Sequence, residues 1–122
     1  MKASLDESQP LFQQIAQMII DDIIDDRLKE GERIPSENEL SSFYNINRAT
    51  VRNGLQMLVD KAIIYKKRGI GMFVKEGARA KLREERIGQF KINYVTPLKE
   101  EAKRLGIGDE EVIRILREGG NK

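Results

Sequence analysis

Two helical patterns separated by only three residues constrain this chain more than any other feature. Ser36-Glu37-Asn38-Glu39 has the form of a capping box. Ser36 can accept from the third amide of a new helix while Glu39 reaches back to the Ser36 amide. A short helix over about residues 37–44 follows, with Leu40 and Phe43 expected to face inward. Asn45-Ile46-Asn47 allows only a tight turn. Asn47 is then placed to cap a second helix over about 48–61, in which Val51, Leu55 and Leu58 recur at helical spacing. Opposite that stripe stand Ala49, Arg52, Asn53 and Gln56, with Arg48 near the border. Two short helices joined this closely form a helix-turn-helix. The outer face of the second helix offers donors, acceptors and small groups, which suits the base edges of a DNA major groove. Taken alone, the stretch Ile46–Leu58 fits an ordinary amphipathic surface helix equally well, so its neighbours decide.

Upstream, Pro10 suits the start of a helix, where its missing N–H is not needed. Leu11, Phe12, Ile15, Ile19 and Ile23 follow at three- and four-residue spacing and predict an amphipathic helix over about 10–27. Asp21, Asp22, Asp25 and Asp26 read as its solvated face. They lack the glycine and terminal glutamate of a calcium loop, so no metal site is expected. Gly54, inside the second helix of the pair, costs ~1 kcal/mol relative to alanine. Close approach of another helix would account for it.

Downstream the pattern changes to β. Ile63-Ile64-Tyr65-Lys66-Lys67 and Met72-Phe73-Val74-Lys75 are strand-prone, and Arg68-Gly69-Ile70-Gly71 between them has the glycines of a hairpin turn. A hairpin tipped by Lys66, Lys67 and Arg68 makes a wing that could follow a phosphate backbone or enter a minor groove. Its GxG lacks the third glycine and following helix of a nucleotide loop.

From Ala78 the chain is helical again. Ile87, Phe90, Tyr94, Leu98, Ala102 and Leu105 hold one face through Pro97. That unbroken phase favours a kinked or briefly interrupted long helix over a fresh start capped by Thr96. Gly106-Ile107-Gly108 ends it. Asp109 is expected to cap a last helix over about 110–118 carrying Val112, Ile113, Ile115 and Leu116. Two such helices are too small to bury their apolar faces alone. Ile87, Phe90, Tyr94, Leu98, Leu105, Val112, Ile113 and Leu116 are therefore expected to meet a second copy of the chain. The fold class that emerges is mainly α with a small β-hairpin. A winged helix-turn-helix over residues 1–77 is followed by a two-helix dimerisation region over 78–122.

Charge follows this division. Residues 1–40 carry 4 Lys/Arg against 10 Asp/Glu, residues 41–91 carry 12 against 4, and residues 92–122 carry 6 of each. The positive charge is concentrated in the segment that begins just before the second helix, the footprint expected of nucleic-acid binding. With no histidine and no cysteine, the commonest general base and the thiol nucleophile are missing. The adjacent carboxylate pairs Asp25/Asp26 and Glu84/Glu85 do not face one another on a helix. No enzyme and no cofactor are expected. No apolar run approaches the ~18 residues of a membrane span, and the N-terminus lacks a signal-peptide core. The expected location is the cytoplasm.

The order helix, GxxxPSExxL, helix, turn, RxTVRxxL, hairpin with RGxGxFV resembles the DNA-binding domain of the GntR family of bacterial transcription regulators. The matching residues run from Pro10-Leu11-Phe12-Gln13-Gln14-Ile15 through Gly31, Pro35-Ser36-Glu37, Leu40, Arg48, Thr50-Val51-Arg52, Leu55 and Leu58 to Gly69, Gly71 and Phe73-Val74. The tail, with EEAKRLGI at 100–107 and DEEVIRIL at 109–116, is similar to the YtrA subfamily. The resemblance implies a homodimer on a palindromic double-stranded DNA operator, usually as a repressor and often of transporter genes. It implies DNA contacts at Arg48 and Arg52 with Asn47, Ala49 and Thr50 beside them, and minor-groove contacts at Arg68 and Gly69. Position 38, often an arginine in the family, is Asn38 here. The resemblance leaves room for an unidentified small-molecule effector, for which no residue marks a site. The competing expectation is a winged helix that binds another protein and no specific DNA.

Overall fold

The computed structural model describes residues 4–119; the ends of the polar lead and of the tail lie outside the described residues. Among the described residues there are six α-helices, a π-helical turn and one two-stranded antiparallel sheet. The chain divides into two compact units, the first ending at Arg83 and the second beginning at Glu84.

In the first unit, helix α1 (Leu11–Ile24) follows Pro10 and buries Ile15, Met18, Ile19 and Ile23. It ends three residues before the expected 27. Asp26 turns to φ 66, and the Asp22 carbonyl accepts from both Arg27 and Leu28 amides. Asp22 is not on a solvated face, as the aspartate run suggested: only 6% exposed, it receives the Arg27 guanidinium at 3.1 Å. The Tyr44 hydroxyl donates to the Met18 sulfur at 2.9 Å. Burial pushes that phenol's pKa up, and the Asp22 charge adds to the effect.

Helix α2 (Glu37–Tyr44) opens on the complete capping box, with Ser36 Oγ accepting from Glu39 N at 3.0 Å and Glu39 Oε1 from Ser36 N at 2.8 Å. Leu40 is fully buried, but Phe43 is 56% exposed and packs edge-on against Tyr44 instead of facing inward. On an eight-residue helix only one apolar position lies squarely over the core. Asn45, left-handed at φ 54, then reverses the chain, and Ser41 Oγ donates to the Ile46 carbonyl at 2.6 Å. Asparagine tolerates this region better than other non-glycine residues.

Helix α3 (Arg48–Asp60) is capped by Asn47, whose Oδ1 accepts from Ala49 N at 2.7 Å. Val51, Leu55 and Leu58 enter the core. Gly54 explains itself here: a Cβ at this position would lie 2.6 Å from the Phe12 carbonyl oxygen and 3.2 Å from Ile15 Cβ. The two helices touch through backbone, which no side chain would permit.

Strand β1 (Ile64–Lys67) pairs with β2 (Gly71–Val74), in the register Ile64 to Val74 and Lys67 to Gly71. The loop between them holds Gly69 at φ 78 and closes with Ile70 N donating to Lys67 O at 2.9 Å. Ile64 and Val74 plug the core from one face of the sheet. Arg33 adds a single bridge to Phe73 on the open side. Helix α4 (Ala78–Phe90) starts within this unit, where Ala78 and Leu82 join the same core. The first unit therefore extends past the expected limit at residue 77.

In the second unit, α4 passes directly into the π-helical turn Lys91–Val95 and then into α5 (Thr96–Leu105). Pro97 has no N–H for the carbonyl four residues back, and its ring crowds that carbonyl. A turn of wider pitch accommodates both: Thr96 N–H donates to Lys91 O, five residues away. Thr96 is itself helical at φ −59, ψ −48 and caps nothing. The helix runs on through Pro97 with this one brief interruption, as its apolar stripe predicted. Gly106, at φ 75, ends it. Helix α6 (Asp109–Glu118) begins one residue earlier than expected, with Gly108 in the capping position and Asp109 as its first helical residue, making no side-chain cap. Asp109, Glu110 and Glu111 instead complement the positive end of the helix dipole.

Candidate nucleic-acid interface

Helix α3 is held on its inner side by the core and against Phe12 and Ile15 by Gly54. Its outer face carries Arg48, Ala49, Arg52, Asn53 and Gln56, all exposed. The cap at Asn47 uses that side chain's oxygen and leaves it beside the start of this outer face.

The two arginines meet at one carboxylate. Glu37, first residue of α2, receives Arg52 Nε at Oε2 (3.1 Å) and Arg52 Nη2 at Oε1 (3.1 Å). Arg48 Nε and Nη2 reach the same Oε1, each at 3.2 Å. The Glu37 side chain is 23% exposed, whereas both arginines are 60% exposed. Hydrogen bonding from Arg52 holds the Glu37 carboxyl below the usual carboxylate range, with burial opposing and Arg48 assisting. Glu37 in turn pushes Arg52 further up. The sequence places Glu37 in the capping box and in the Pro35-Ser36-Glu37 motif of the resemblance, without a partner. A glutamate at the first position of one helix pointing to arginines 11 and 15 residues later has no periodic signature.

Arg48, Glu37, exposed Asn38 and Lys66 line a concavity of about 220 Å³ with Pro35, Ser36, Leu55, Gly71 and Met72. This brings the turn before α2, the head of α3 and the wing onto one side. The wing's cations do not act as one group. Lys66 shares the face of Ile64 and Met72, while Lys67 alternates to the opposite face and lies with its Nζ 4.9 Å from the centroid of the Phe73 ring. Phe73 stacks in turn on Tyr65 at 5.9 Å. Arg68 and Gly69 stand exposed at the tip, with Ile70 63% exposed beside them. Thr50 is half-buried and faces a different concavity, of about 460 Å³, shared with Phe43, Tyr44 and Asn47. Arg33, unremarked in the sequence, supports the wing: its Nε lies where a Cβ on Gly71 would be, at 2.7 Å.

The residues expected at a dimer contact all lie in the second unit. Phe90, Tyr94, Leu105 and Leu116 are more than half exposed, Ile87, Leu98 and Ile113 more than a third, and Val112 is half-buried. Most of them, with Val95, Ala102 and Ile107, line an apolar concavity of about 1140 Å³.

The mannosyl-D-glycerate transport/metabolism system repressor MngR of Escherichia coli (strain K12) is 38% identical over 68 residues, which are 56% of this chain and 28% of that protein. The chain thus spans under a third of that repressor's length. A GntR family transcriptional regulator from Listeria monocytogenes superposes with a TM-score of 0.76 at 26% identity, covering 93% of this chain and 98% of that one. The AraR DNA-binding domain in complex with operator ORX1 superposes with a TM-score of 0.52 at 29% identity, over 61% of this chain and 90% of that one. The family model for bacterial regulatory proteins, gntR family, matches residues 11–74, from the first residue of α1 to the last of β2. That match covers more than half of the chain, and the chain belongs to the gntR family of bacterial regulatory proteins.

Proposed function

We propose that this chain is a sequence-specific DNA-binding transcription regulator of the YtrA type, acting in the cytoplasm as a homodimeric repressor on a palindromic operator. The observation that carries the reading is the pair Arg48 and Arg52, held side by side on the exposed face of α3 next to Lys66 of the wing. Guanidinium groups on an exposed helix face are the commonest readers of guanine in the major groove. The likeness to a DNA-binding domain in complex with its operator supports the same mode.

Homodimerisation is supported by the apolar faces of α5 and α6, which the second unit leaves uncovered. Two copies would set two recognition helices about one helical turn apart, ~34 Å. The same concavity has room for a small-molecule effector. Control of transporter genes is supported by the kinship with a repressor of a transport and metabolism system. Asn47, Ala49, Thr50 and Asn38 flank the arginines. Arg68 and Gly69 reach the minor groove, and Lys66 and Lys67 contribute salt-sensitive attraction to phosphate.

A gel-shift titration tests the reading, using a duplex enriched by the protein from a random library. Arg52→Ala should weaken binding by about 1–3 kcal/mol. Undiminished binding would remove Arg52 from the interface. Absence of strong, salt-dependent duplex binding would favour the protein-interaction module instead.

A further inference from the structure

Two arginines meant to read bases have a competing use, because the same groups bind any phosphate. The structure places a carboxylate between them. We infer that Glu37 is a specificity-determining residue, which positions Arg48 and Arg52 for base edges and withholds them from indiscriminate phosphate binding. The inference rests on the DNA-reading function proposed above.

The geometry supports each half. Arg52 gives Glu37 its Nε and Nη2, at 3.1 Å each. Those atoms form the side edge of the guanidinium. The end edge, Nη1 with the second proton of Nη2, is the one left for a guanine O6/N7 pair. Arg48 is held the same way, with Nε and Nη2 on one Glu37 oxygen. Each long side chain is thereby restricted before DNA arrives, which lowers the ordering cost of binding. The cluster's net charge is +1 instead of +2, and its negative member lies between the two cations. A phosphate at the free Arg52 edge carries a charge that the nearby carboxylate repels, whereas a base edge there is neutral and does not displace the carboxylate. Glu37 is well suited to the task, being 23% exposed and seated at the first position of a helix whose N-terminus is already capped by Ser36. It makes no cap of its own, so its removal leaves the capping box in place.

The test compares two duplexes: one enriched by the wild-type protein from a random library, and a scrambled duplex of the same composition. Glu37→Ala should bind the enriched duplex more weakly and the scrambled one more tightly, so that their affinity ratio falls by about tenfold or more. On the scrambled duplex the slope of log affinity against log salt should steepen by about 1, as freed arginines take up a phosphate contact. Glu37→Asp, one methylene short of spanning both arginines, should also lower the ratio. Glu37→Gln keeps an acceptor at the same reach and should recover part of it. Circular dichroism melts of each variant separate these effects from unfolding. An unchanged ratio and salt slope in folded Glu37→Ala and Glu37→Asp would overturn the inference while leaving the DNA-reading function intact. Equal strengthening on both duplexes would also overturn it, by showing that only charge was removed. If the wild type enriches no duplex at all, the function proposed above fails and the inference falls with it.

Discussion

The two units of this chain are written in the same helical alphabet and reach opposite ends. In the first, helices α1 to α4 and the hairpin close around a core of Ile15, Ile19, Leu40, Val51, Leu55, Leu58, Ile64 and Val74, all at or below 2% exposed. In the second, no described residue is buried, although α5 and α6 are strongly two-faced. Leu105, Tyr94 and Leu116 are each more than 60% exposed. The difference shows that amphipathic spacing fixes which face is apolar, and not whether the chain itself supplies the cover. The first unit carries four helical faces and a sheet face that meet at one point. The second has a helical hairpin only, and a two-layer core needs a second layer.

The comparison can be broken most severely from the first side. Ile19→Ala should destabilise the winged unit by about 2–5 kcal/mol, the range for emptying a buried aliphatic position. The loss should appear in urea unfolding at every protein concentration. On the second side, Leu116→Asp puts a charge on the uncovered face. The proposed dimer should dissociate, with its dissociation constant rising at least about a hundredfold, roughly 2.7 kcal/mol. Analytical ultracentrifugation would read one chain mass where the wild type gives two, while the melt of the winged unit stays in place. A wild type sedimenting as a monomer would show that the open face has another use. Gly54→Ala tests the helix contact that seats the reading head. With Phe12 O only 2.6 Å from the added Cβ, it should cost about 1–3 kcal/mol by overpacking, against the ~1 kcal/mol that helix propensity alone would return. Calorimetry decides the sign.

Acid gives the smallest effect. The Glu37 and Glu39 pKa values are both lowered, by Arg52 and by the Ser36 amide respectively. A carboxyl with a lowered folded pKa contributes stability that is present above its unfolded value, ~4.3. That contribution is lost as pH falls through the folded value. The melting temperature should hold from neutral pH to about 5 and decline below about 4. A Glu37→Gln variant should decline less over the same interval.

The parts of the fold legible in the sequence are those whose signals are local. The capping box at Ser36 and Glu39, the Asn47 cap and the glycine at the hairpin turn each lie within a few residues of their partners. So does the proline at 97, whose consequence, a wider helical turn, falls just before it. The unbroken apolar phase across that proline predicted continuity because phase is also a local sum. What escaped reading depends on contacts made through space. Phe43 has the right spacing to be inward, and only the placement of Tyr44 and Leu40 leaves it outside. Asp22 looks like its exposed neighbours until Arg27 and the end of α1 enclose it. Asp109 is a good capping residue by type, but the backbone at Gly108 is the one that leaves the helix. The candidate interface divides in the same way. Arg48 and Arg52 were legible as a polar helix face, and the opposite facing of Lys66 and Lys67 follows from the two-residue period of a strand, whereas Glu37 meets the arginines from another helix and leaves no local signal.

The backbone contact at Gly54 has a consequence for how such a protein can change. Because the axis of α3 is fixed by a glycine against a carbonyl, the distance of this helix from its support does not depend on any side chain of its outer face. Ala49, Arg52, Asn53 and Gln56 can be exchanged without shifting the helix that carries them. Under the function proposed above, new operator preferences are then reachable by single substitutions, each tried on an unmoved frame, and only an exchange of Arg48 or Arg52 also gives up an ion pair with Glu37.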